Sequence, residues 1–282
     1  MRKDLIIVRG GGDLATGTIA KLYRCGFSVL ILEIEHPSAI RRNVAFSEAV
    51  YQGKQTVEDI TCVLAKNLKE AEEMLEKGML VLLVDPEGNC ISKLQPLAVV
   101  DGILAKKNLG THRQMAPITI GLGPGFEAGK DVDAVIETMR GHHLGRVLYQ
   151  GSAIANTGVP GVIGGYAKER VIHSPGTGII KNVKKITDVV EQGEVIAWIE
   201  PQRKQMDDPV EERIPVKATI PGLLRGLIRE DYPVTKGFKI ADIDPRIQEY
   251  ENCFTISDKA RCIAGGVVEA LFYLKQQKVC ND

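Results

Sequence analysis

Aromatic residues are scarce in this sequence, at 5% of 282 residues. Proteins that bind single-stranded nucleic acid stack the bases on aromatic side chains, so the shortage argues against such a surface. No excess of charge is present either, because 36 Lys and Arg residues balance 36 Asp and Glu residues. Neither nucleic acid nor an anionic membrane is therefore expected as a partner.

The six cysteines form no CxxC pair, which argues against a zinc ribbon or a redox dithiol. Scattered, reduced thiols are typical of a cytosolic protein. Long hydrophobic runs are missing near the amino terminus, where only LIIV precedes Arg9. That run is too short for a signal peptide or a membrane span, and we predict a cytoplasmic location.

Short apolar runs alternate with helical patterns through the amino-terminal half. Continuous apolar runs predict buried strands at 5–8, 29–32 and 79–84, and a further strand is predicted at 117–120. Apolar residues at helical spacing predict helices over 15–22, 64–75 and 97–104. This alternation predicts a Rossmann-like, doubly wound parallel sheet in an α/β domain over residues 1–165.

The first predicted strand runs into a glycine-rich turn. The spacing Gly10-x-Gly12-x-x-Ala15 is that of a dinucleotide-binding turn, in which the backbone approaches a pyrophosphate at a helix N-terminus. Glu33, at the end of the next strand, could accept a ribose hydroxyl. Asp13 would place a negative charge in the first turn, which favours the helix dipole but repels phosphate. A strand–turn–helix that binds no nucleotide is the alternative.

A second glycine corner, GLGPGFEAGKDVDAVIETMRGHHLG at 121–145, follows the strand predicted at 117–120. Gly121, Gly123 and Gly125 permit a close approach of the backbone to a ligand. Ligands bind beyond the carboxyl ends of the strands in an open parallel sheet. Because both glycine corners follow strands, we expect them to lie on the same edge.

A helix is predicted over 131–140, because its apolar residues recur at i, i+3, i+4 and i+7. Its other face would carry Asp133 and Glu137, whose carboxylates suit paired N–H donors, such as a pterin or guanine edge, or a cation. A solvated helix with a salt bridge is the alternative. Positive charge for a ligand phosphate would come from Arg9, Lys106, Arg140 and His142.

Two segments of the carboxyl-terminal half, 170–200 and 215–244, resemble each other. They align when Gly193 is matched with Gly237, a shift of 44 residues, and both combine an early Pro-Gly with alternating apolar residues. This pattern indicates a duplicated β half-unit. It resembles the β barrel-sandwich hybrid of biotinyl and lipoyl domains and predicts such a smaller domain over 166–248.

The linker between the two half-units is longer than the hairpin of a carrier domain, and Lys204 is out of register for a swinging-arm lysine. A rigid spacer or docking module is therefore expected. A helix is predicted over 257–275, with Ser257 or Asp258 as its N-cap. We expect the segment 249–282 to pack back on the α/β domain.

Four motifs carry a resemblance to a known family. They are RGGGDLATG (9–17), the glycine corner at 121–145, NTGVPG (156–161) and SDKARCIAGGVVEA (257–270), and they resemble the YqeB family over essentially the whole chain. The resemblance implies an accessory protein in the maturation of selenium-dependent molybdenum hydroxylases, with molybdopterin as a cofactor and a client molybdenum hydroxylase as a partner. The amino-terminal portion is similar, more loosely, to XdhC/CoxI-type accessory proteins, which carry a histidine where this chain has Asp13.

The leading hypothesis is such an accessory protein, binding a molybdopterin- or nucleotide-type ligand between Gly10–Asp13 and Gly121–Gly125. An NAD(P)-dependent oxidoreductase is one alternative, and a scaffold or carrier protein that uses the barrel-sandwich domain is another. Catalytic and metal-binding residues are not assigned.

Overall fold

The structure, a computed structural model, describes residues 4–156, 161–201 and 212–279. Contacts divide the chain into two compact units. Unit 1 comprises Met1–Pro37, Val44–Thr157 and Ile256–Asp282, and unit 2 comprises Ser38–Asn43 and Gly158–Thr255. None of the helices in the described ranges combines the length and hydrophobicity that a membrane crossing requires.

Unit 1 is built on a mixed sheet with nine strands in the described residues. In chain order these strands are β1 (Leu5–Arg9), β2 (Ser28–Glu33), β3 (Lys54–Val57), β4 (Ile60–Ala65), β5 (Leu80–Val84), β6 (Ala98–Asp101), β7 (Ile118–Leu122), β8 (Ala134–Ile136) and β9 (Val147–Leu148). They lie in the order β3-β4-β5-β2-β1-β6-β7-β8-β9. The strands between β4 and β8 run parallel, whereas the edge strands β3 and β9 are antiparallel to their neighbours.

Unit 1 contains five α-helices in the described residues, and two of them begin at a capping side chain. They are α1 (Asp13–Arg24), α2 (Ala49–Gln52), α3 (Leu68–Glu76), α4 (Ile91–Leu94) and α5 (Asp258–Val279). Asn67 caps α3, because its Oδ1 accepts a hydrogen bond of 3.0 Å from Glu70 N. Ser257 caps α5 in the same way, with Oγ 3.2 Å from Ala260 N, as predicted.

Both faces of the sheet are buried. Side chains alternate along a strand, so Ile6 and Val8 of β1 enter the larger hydrophobic core, whereas Leu5 and Ile7 enter a smaller one on the other face. Residues of α1 and α5 complete the larger core, and residues of α3 and α4 complete the smaller one. This burial explains the continuous apolar runs that predicted β1, β2 and β5; these three strands and the predicted strand β7 are confirmed.

Helices α1 and α5 pack closely because small residues face each other. A Cβ on Gly17 would lie 2.7 Å from Ala260 Cβ and 2.8 Å from Ala260 O. On the other side of α5, a Cβ on Gly266 would lie 2.2 Å from Gly145 O. A larger residue at Gly17 would push α1 and α5 apart, and one at Gly266 would push α5 away from Gly145.

Unit 2 consists of two four-stranded antiparallel sheets in its described part. One has the strand order β10-β17-β15-β12 and the other β14-β13-β11-β16. The strands are β10 (Val171–His173), β11 (Gly178–Asn182), β12 (Val189–Val190), β13 (Val195–Glu200), β14 (Ile214–Lys217), β15 (Gly222–Leu227), β16 (Pro233–Val234) and β17 (Lys239–Asp244). Each sheet therefore takes two strands from each half of the unit.

The two halves of unit 2 repeat strand by strand. Strands β11, β12 and β13 start at 178, 189 and 195, and β15, β16 and β17 start at 222, 233 and 239, a shift of 44 residues each time. The turn glycines Gly193 and Gly237 have nearly equal φ angles of +86° and +84°. Lys204 and residues 157–160 of the NTGVPG motif lie outside the described residues.

The predicted fold class is wrong. The sheet of unit 1 is mixed, not a purely parallel, doubly wound Rossmann-like sheet, and the helices predicted over 97–104 and 131–140 are strands β6 and β8. The predicted combination with a barrel-sandwich hybrid is replaced by this mixed sheet and two separate antiparallel sheets. The runs AVVD and AVI are buried at every position, and so they lack the alternation that distinguishes a strand from a buried helix.

Candidate functional site

The candidate site lies at the carboxyl edge of the sheet in unit 1, around the end of β1. The chain passes from β1 to β2 on one side, whereas β6 pairs with β1 on the other side. In open α/β sheets, ligands bind beyond the carboxyl ends of the strands at such a switch point. Gly10 follows β1 with a φ of +89°, and a Cβ there would come within 3.0 Å of the Ile103 backbone. Glycine at position 10 therefore lets the turn after β1 approach the segment that follows β6.

Gly12 leaves the amino-terminal end of α1 open. Its backbone is extended, and no side chain caps the helix. A Cβ built on Gly12 meets nothing within 4 Å among the described residues. The N–H groups of a first helical turn carry partial positive charge, so this end suits an anionic group. Asp13 stands in the same turn and weakens that positive potential.

Glu33 closes the glycine turn from the end of β2. Its Oε2 accepts a hydrogen bond of 2.8 Å from Gly11 N, and its Oε1 accepts one of 2.9 Å from Ile34 N. Burial raises the pKa of Glu33 above its usual value, and the two N–H groups offset this only in part. A carboxylate oxygen has room for a second donor. Glu33 therefore keeps acceptor capacity for a ligand hydroxyl, the role predicted from its position.

Arg9 was predicted as a phosphate contact, but its guanidinium faces the interior loops and is 3% exposed. Nη1 donates to Thr111 Oγ1 over 2.5 Å, and Nη2 donates to the carbonyl oxygens of Pro86 and Leu109 over 3.0 and 3.3 Å. Asp101 completes the network, with Oδ2 3.7 Å from Arg9 Nη1 and 2.6 Å from Thr111 Oγ1. Arg9 thus fastens the loops after β5 and β6 to the end of β1.

Gly121 and Gly123 are needed for packing inside the second glycine corner. A Cβ on Gly121 would lie 2.5 Å from the Phe126 ring, and one on Gly123 would lie 2.6 Å from Thr138 Oγ1. The φ of Gly123 is +78°, a conformation that favours glycine. Both glycines therefore pack against side chains of the same glycine corner, residues 121–145.

The loop of residues 103–107 contacts both glycine corners. Gly10 meets Ile103, and a Cβ on Gly125 would lie 2.7 Å from Lys107 N. Lys106 in the same loop is exposed and has a φ of +63°. Both corners follow strands at the carboxyl edge, as expected, but the backbone of this loop lies between them.

Asp133 and Glu137, predicted as ligand carboxylates, are both engaged by protein groups. Asp133 Oδ2 accepts hydrogen bonds of 2.9 Å from the N and the Oγ1 of Thr119, and Oδ1 accepts one of 2.9 Å from Arg113 Nε. Glu137 is 3% exposed. Its Oε1 lies 2.7 Å from Met139 N and its Oε2 lies 2.8 Å from Ile154 N. These carboxylates hold loops around β8.

Arg140 and His142, predicted as anion contacts, lie on the surface beyond β8. Arg140 forms two hydrogen bonds with the carboxylate of Asp258 at the start of α5, over 2.9 and 3.1 Å. His142 is exposed, with its ring 5.3 Å from the ring of His143. The structure brings Gly10, Gly12 and Glu33 together, whereas Asp133, Glu137 and Arg140 serve other contacts.

An apolar rim that the sequence did not indicate lies at the same edge. Ile34, Val84, Ile103 and Leu109 are 45%, 38%, 36% and 44% exposed, although each is a large hydrophobic residue. Ile34 and Val84 lie at the carboxyl ends of β2 and β5, and the other two follow β6. Strands β2 and β6 flank β1, and β5 pairs with the other side of β2, so these residues lie along the sheet edge that carries the glycine turn. Single exposed apolar residues are common, but several on adjacent strand ends mark a binding surface.

Titratable side chains in the described ranges form no group of three or more His, Cys, Asp and Glu residues that could hold a metal ion. The candidate site thus consists of an open helix end, one carboxylate with spare acceptor capacity and an apolar rim.

The comparison with curated proteins finds one match over nearly the whole chain. It is a protein of Escherichia coli (strain K12) described as "Uncharacterized protein YqeB", 49% identical over 276 residues, which are 98% of this chain and 49% of that protein. The chain is a homologue of YqeB. This identity supports the YqeB family that the four motifs indicated. The chain spans about half the length of this relative. No protein-family model matches the chain.

Solved structures match only weakly. The ectoine utilization protein EutE (DoeB) from Ruegeria pomeroyi is 11% identical, with a TM-score of 0.25, over 84% of this chain and 56% of that chain. An aspartoacylase family protein from Mesorhizobium loti is 14% identical, with a TM-score of 0.27, over 86% of this chain and 85% of that chain. Such scores carry no argument about mechanism.

The function expected from the resemblance is corrected by these comparisons. The matching solved structures are named as aspartoacylase-type and ectoine-utilization proteins, and the homologous protein is described as uncharacterized. None of these descriptions names a molybdenum hydroxylase, selenium, a pterin or a nicotinamide cofactor. The prediction of an accessory protein for molybdenum hydroxylases, and its alternatives of an NAD(P)-dependent oxidoreductase and a carrier protein, are therefore set aside.

Proposed function

We propose that unit 1 binds a small molecule that carries an anionic group, such as a phosphate or carboxylate, together with an apolar part. The anion would sit at the amino-terminal end of α1, and the apolar part would lie against the rim of Ile34, Val84, Ile103 and Leu109. The open space beside Gly12 is the observation that carries the proposal.

Backbone geometry supports this placement. The switch point between β1 and β6 is where open α/β sheets bind ligands. The N–H groups of α1 favour an anion there without any lysine or arginine side chain. Arg9 is turned inward, so the positive potential of the site comes from the backbone, and Glu33 would accept a hydrogen bond from a hydroxyl of the same ligand. The cofactors expected from the sequence, molybdopterin or NAD(P), stay predictions for this position.

A substitution that fills the open space tests the proposal. Gly12→Leu is compatible with the extended backbone at this residue, so the variant should fold, and its side chain would occupy the place of the anion. Gly265→Leu is the matched control, because a Cβ at this α5 position also meets nothing within 4 Å. Calorimetric titration would use AMP, NAD⁺ and succinate as separate probes.

We expect saturable binding of at least one probe, weakened at least about tenfold by Gly12→Leu, which corresponds to 1.4 kcal/mol, and unchanged by Gly265→Leu. Equal affinity of the wild type and Gly12→Leu would refute the placement of the anion. Failure of all three probes to bind would refute the proposal for these ligand classes.

We also propose the cytoplasm as the location of the protein. The described cysteines are free thiols, as is usual in a reducing compartment.

A further inference from the structure

Four aromatic side chains form one surface across α5 in unit 1, called here the α5 aromatic surface. The ring of Phe272 lies 6.1 Å from the ring of Phe27, and the ring of Tyr273 lies 4.6 Å from the ring of Tyr149. The two ring pairs are neighbours, because Phe272 and Tyr273 are consecutive residues of α5. The whole chain has only six phenylalanines, seven tyrosines and one tryptophan, so this surface holds a large share of them.

Other residues form the core side of α5. Ile263, Val267 and Leu271 enter the larger hydrophobic core and are at most 1% exposed. Phe272 and Tyr273, in contrast, are 53% and 45% exposed, so each of them leaves much of its apolar area in water. Exposed aromatic residues that adjoin each other are typical of a protein interface, where they supply much of the binding energy.

A carboxylate lies within the α5 aromatic surface. Glu269 precedes Phe272 by three positions and Tyr273 by four, and side chains at these spacings are neighbours on a helix. Burial raises the pKa of Tyr149, and the negative charge of Glu269 raises it further. The carboxylate of Glu269 therefore lies near the rings of both tyrosines.

The positive charge that Glu269 attracts is not supplied by the described part of the chain. Glu269 is exposed and forms no ion pair with a described residue. On the same helix, Arg261 pairs with Glu58, and Lys275 lies 3.9 Å from Asp4. A cation for Glu269 would therefore come from a partner.

The α5 aromatic surface lies at the amino-terminal edge of the sheet. Phe27 directly precedes β2, and Tyr149 directly follows β9, which runs antiparallel to β8. Lys275 contacts Asp4, the residue before β1. The ligand proposed above would bind at the carboxyl edge, so the two sites are separate.

An arginine side chain matches the combination of tyrosine rings and a carboxylate. Its planar guanidinium group stacks on an aromatic ring and can donate two parallel hydrogen bonds to a carboxylate. Apolar groups on either side of the arginine would cover the rings that lie next to the tyrosines. The charge and the apolar area of the surface are thus both complementary to a short segment of this kind.

We propose that the α5 aromatic surface and Glu269 form a docking site for a polypeptide that presents an arginine between apolar side chains. The guanidinium group lies against Tyr273 and pairs with Glu269, and an apolar side chain of the partner packs against Phe272 and Phe27.

Peptide titration of the full chain, followed by NMR chemical shifts, tests the proposal. The probes are a short peptide with one arginine between two leucines and the same peptide with glutamate in place of arginine. Glu269→Arg reverses the charge of the docking site, and Tyr273→Leu removes a ring but keeps an apolar side chain. Both residues are exposed, so the variants should fold. Glu72→Arg is the matched control, because Glu72 is an exposed glutamate of another helix, α3.

We expect saturable binding of the arginine peptide, at least about fivefold tighter than that of the glutamate peptide. Glu269→Arg should reverse this preference, Tyr273→Leu should weaken binding of the arginine peptide at least about twofold, and Glu72→Arg should change neither. Absence of saturable binding, or the same reversal in Glu72→Arg, would overturn the proposal. A dimer of the peptide-free chain that Tyr273→Leu dissociates in sedimentation would assign the surface to a second copy, and would also overturn it.

Discussion

The two adjacent glycines of α5 should respond to alanine in opposite ways. A Cβ on Gly265 meets nothing within 4 Å among the described residues, whereas a Cβ on Gly266 would lie 2.2 Å from Gly145 O and 3.1 Å from Ile136 Cγ2. Real Cβ atoms are essentially never found closer than 3.0 Å to such atoms. Both residues lie in the interior of α5, so the helix propensity acts equally on the two substitutions.

The magnitudes follow from two opposing terms. Replacing glycine by alanine inside a helix stabilises it by about 1 kcal/mol, and Gly265→Ala should show this gain. Gly266→Ala has the same gain but must displace the Gly145 backbone, whose N–H is hydrogen-bonded to Glu137 O over 2.9 Å. Overpacking of this kind costs about 1–3 kcal/mol or more. We therefore expect Gly266→Ala to be at least about 1 kcal/mol less stable than Gly265→Ala.

Urea unfolding followed by the helical circular dichroism signal measures both changes, because α5 is the longest described helix. Trp198, the single tryptophan of the chain, lies in β13 of unit 2 and supplies a separate fluorescence signal. That signal should change little in either variant. Equal stability of Gly265→Ala and Gly266→Ala would refute the close packing of α5 against Gly145.

Two further predictions concern the carboxylates of unit 1. Asp133→Ala should lower the free energy of unfolding by about 3 kcal/mol, since it leaves the N–H and the hydroxyl of Thr119 without acceptors. The control Asp131→Ala should lower it by less than about 1 kcal/mol, because that site is more exposed. Equal losses in urea unfolding would contradict the role of Asp133. Because burial raises the pKa of Glu33, its contribution to stability is fully present below the unfolded pKa and is lost as the pH rises through the folded pKa. The stability of Glu33→Gln relative to the wild type should therefore increase from pH 4 to pH 7, and a difference independent of pH would count against this assignment.

The parts of the fold that the sequence could predict are those with a clear period or a clear end signal. The strands β1, β2 and β5 contain continuous apolar runs of four residues or more, and α1 lies between a glycine turn and Gly26, whose φ is +87°. Strands β6 and β8 could not be distinguished from helices. Their apolar residues match the 3.6-residue period by coincidence, and only pairing with distant strands decides their conformation.

The site could be predicted only where its geometry is local. The turn at Gly10 and Gly12 and the position of Glu33 follow from the strand–turn–helix pattern. The inward orientation of Arg9 does not, because its partner Thr111 is 102 residues away in the chain. Asp133 was expected on the solvated face of a helix, but it belongs to a strand connection in which backbone donors need acceptors.

The burial of Arg9 has a consequence for anion binding in unit 1. The buried Arg9 side chain forms an ion pair with Asp101 and hydrogen bonds with Thr111 and two carbonyl oxygens. An anion at α1 would therefore be held by backbone N–H groups and not by Arg9. Helix-end potentials fall off within one turn, and they neutralise no full charge on the ligand. Anion affinity at α1 should accordingly be modest.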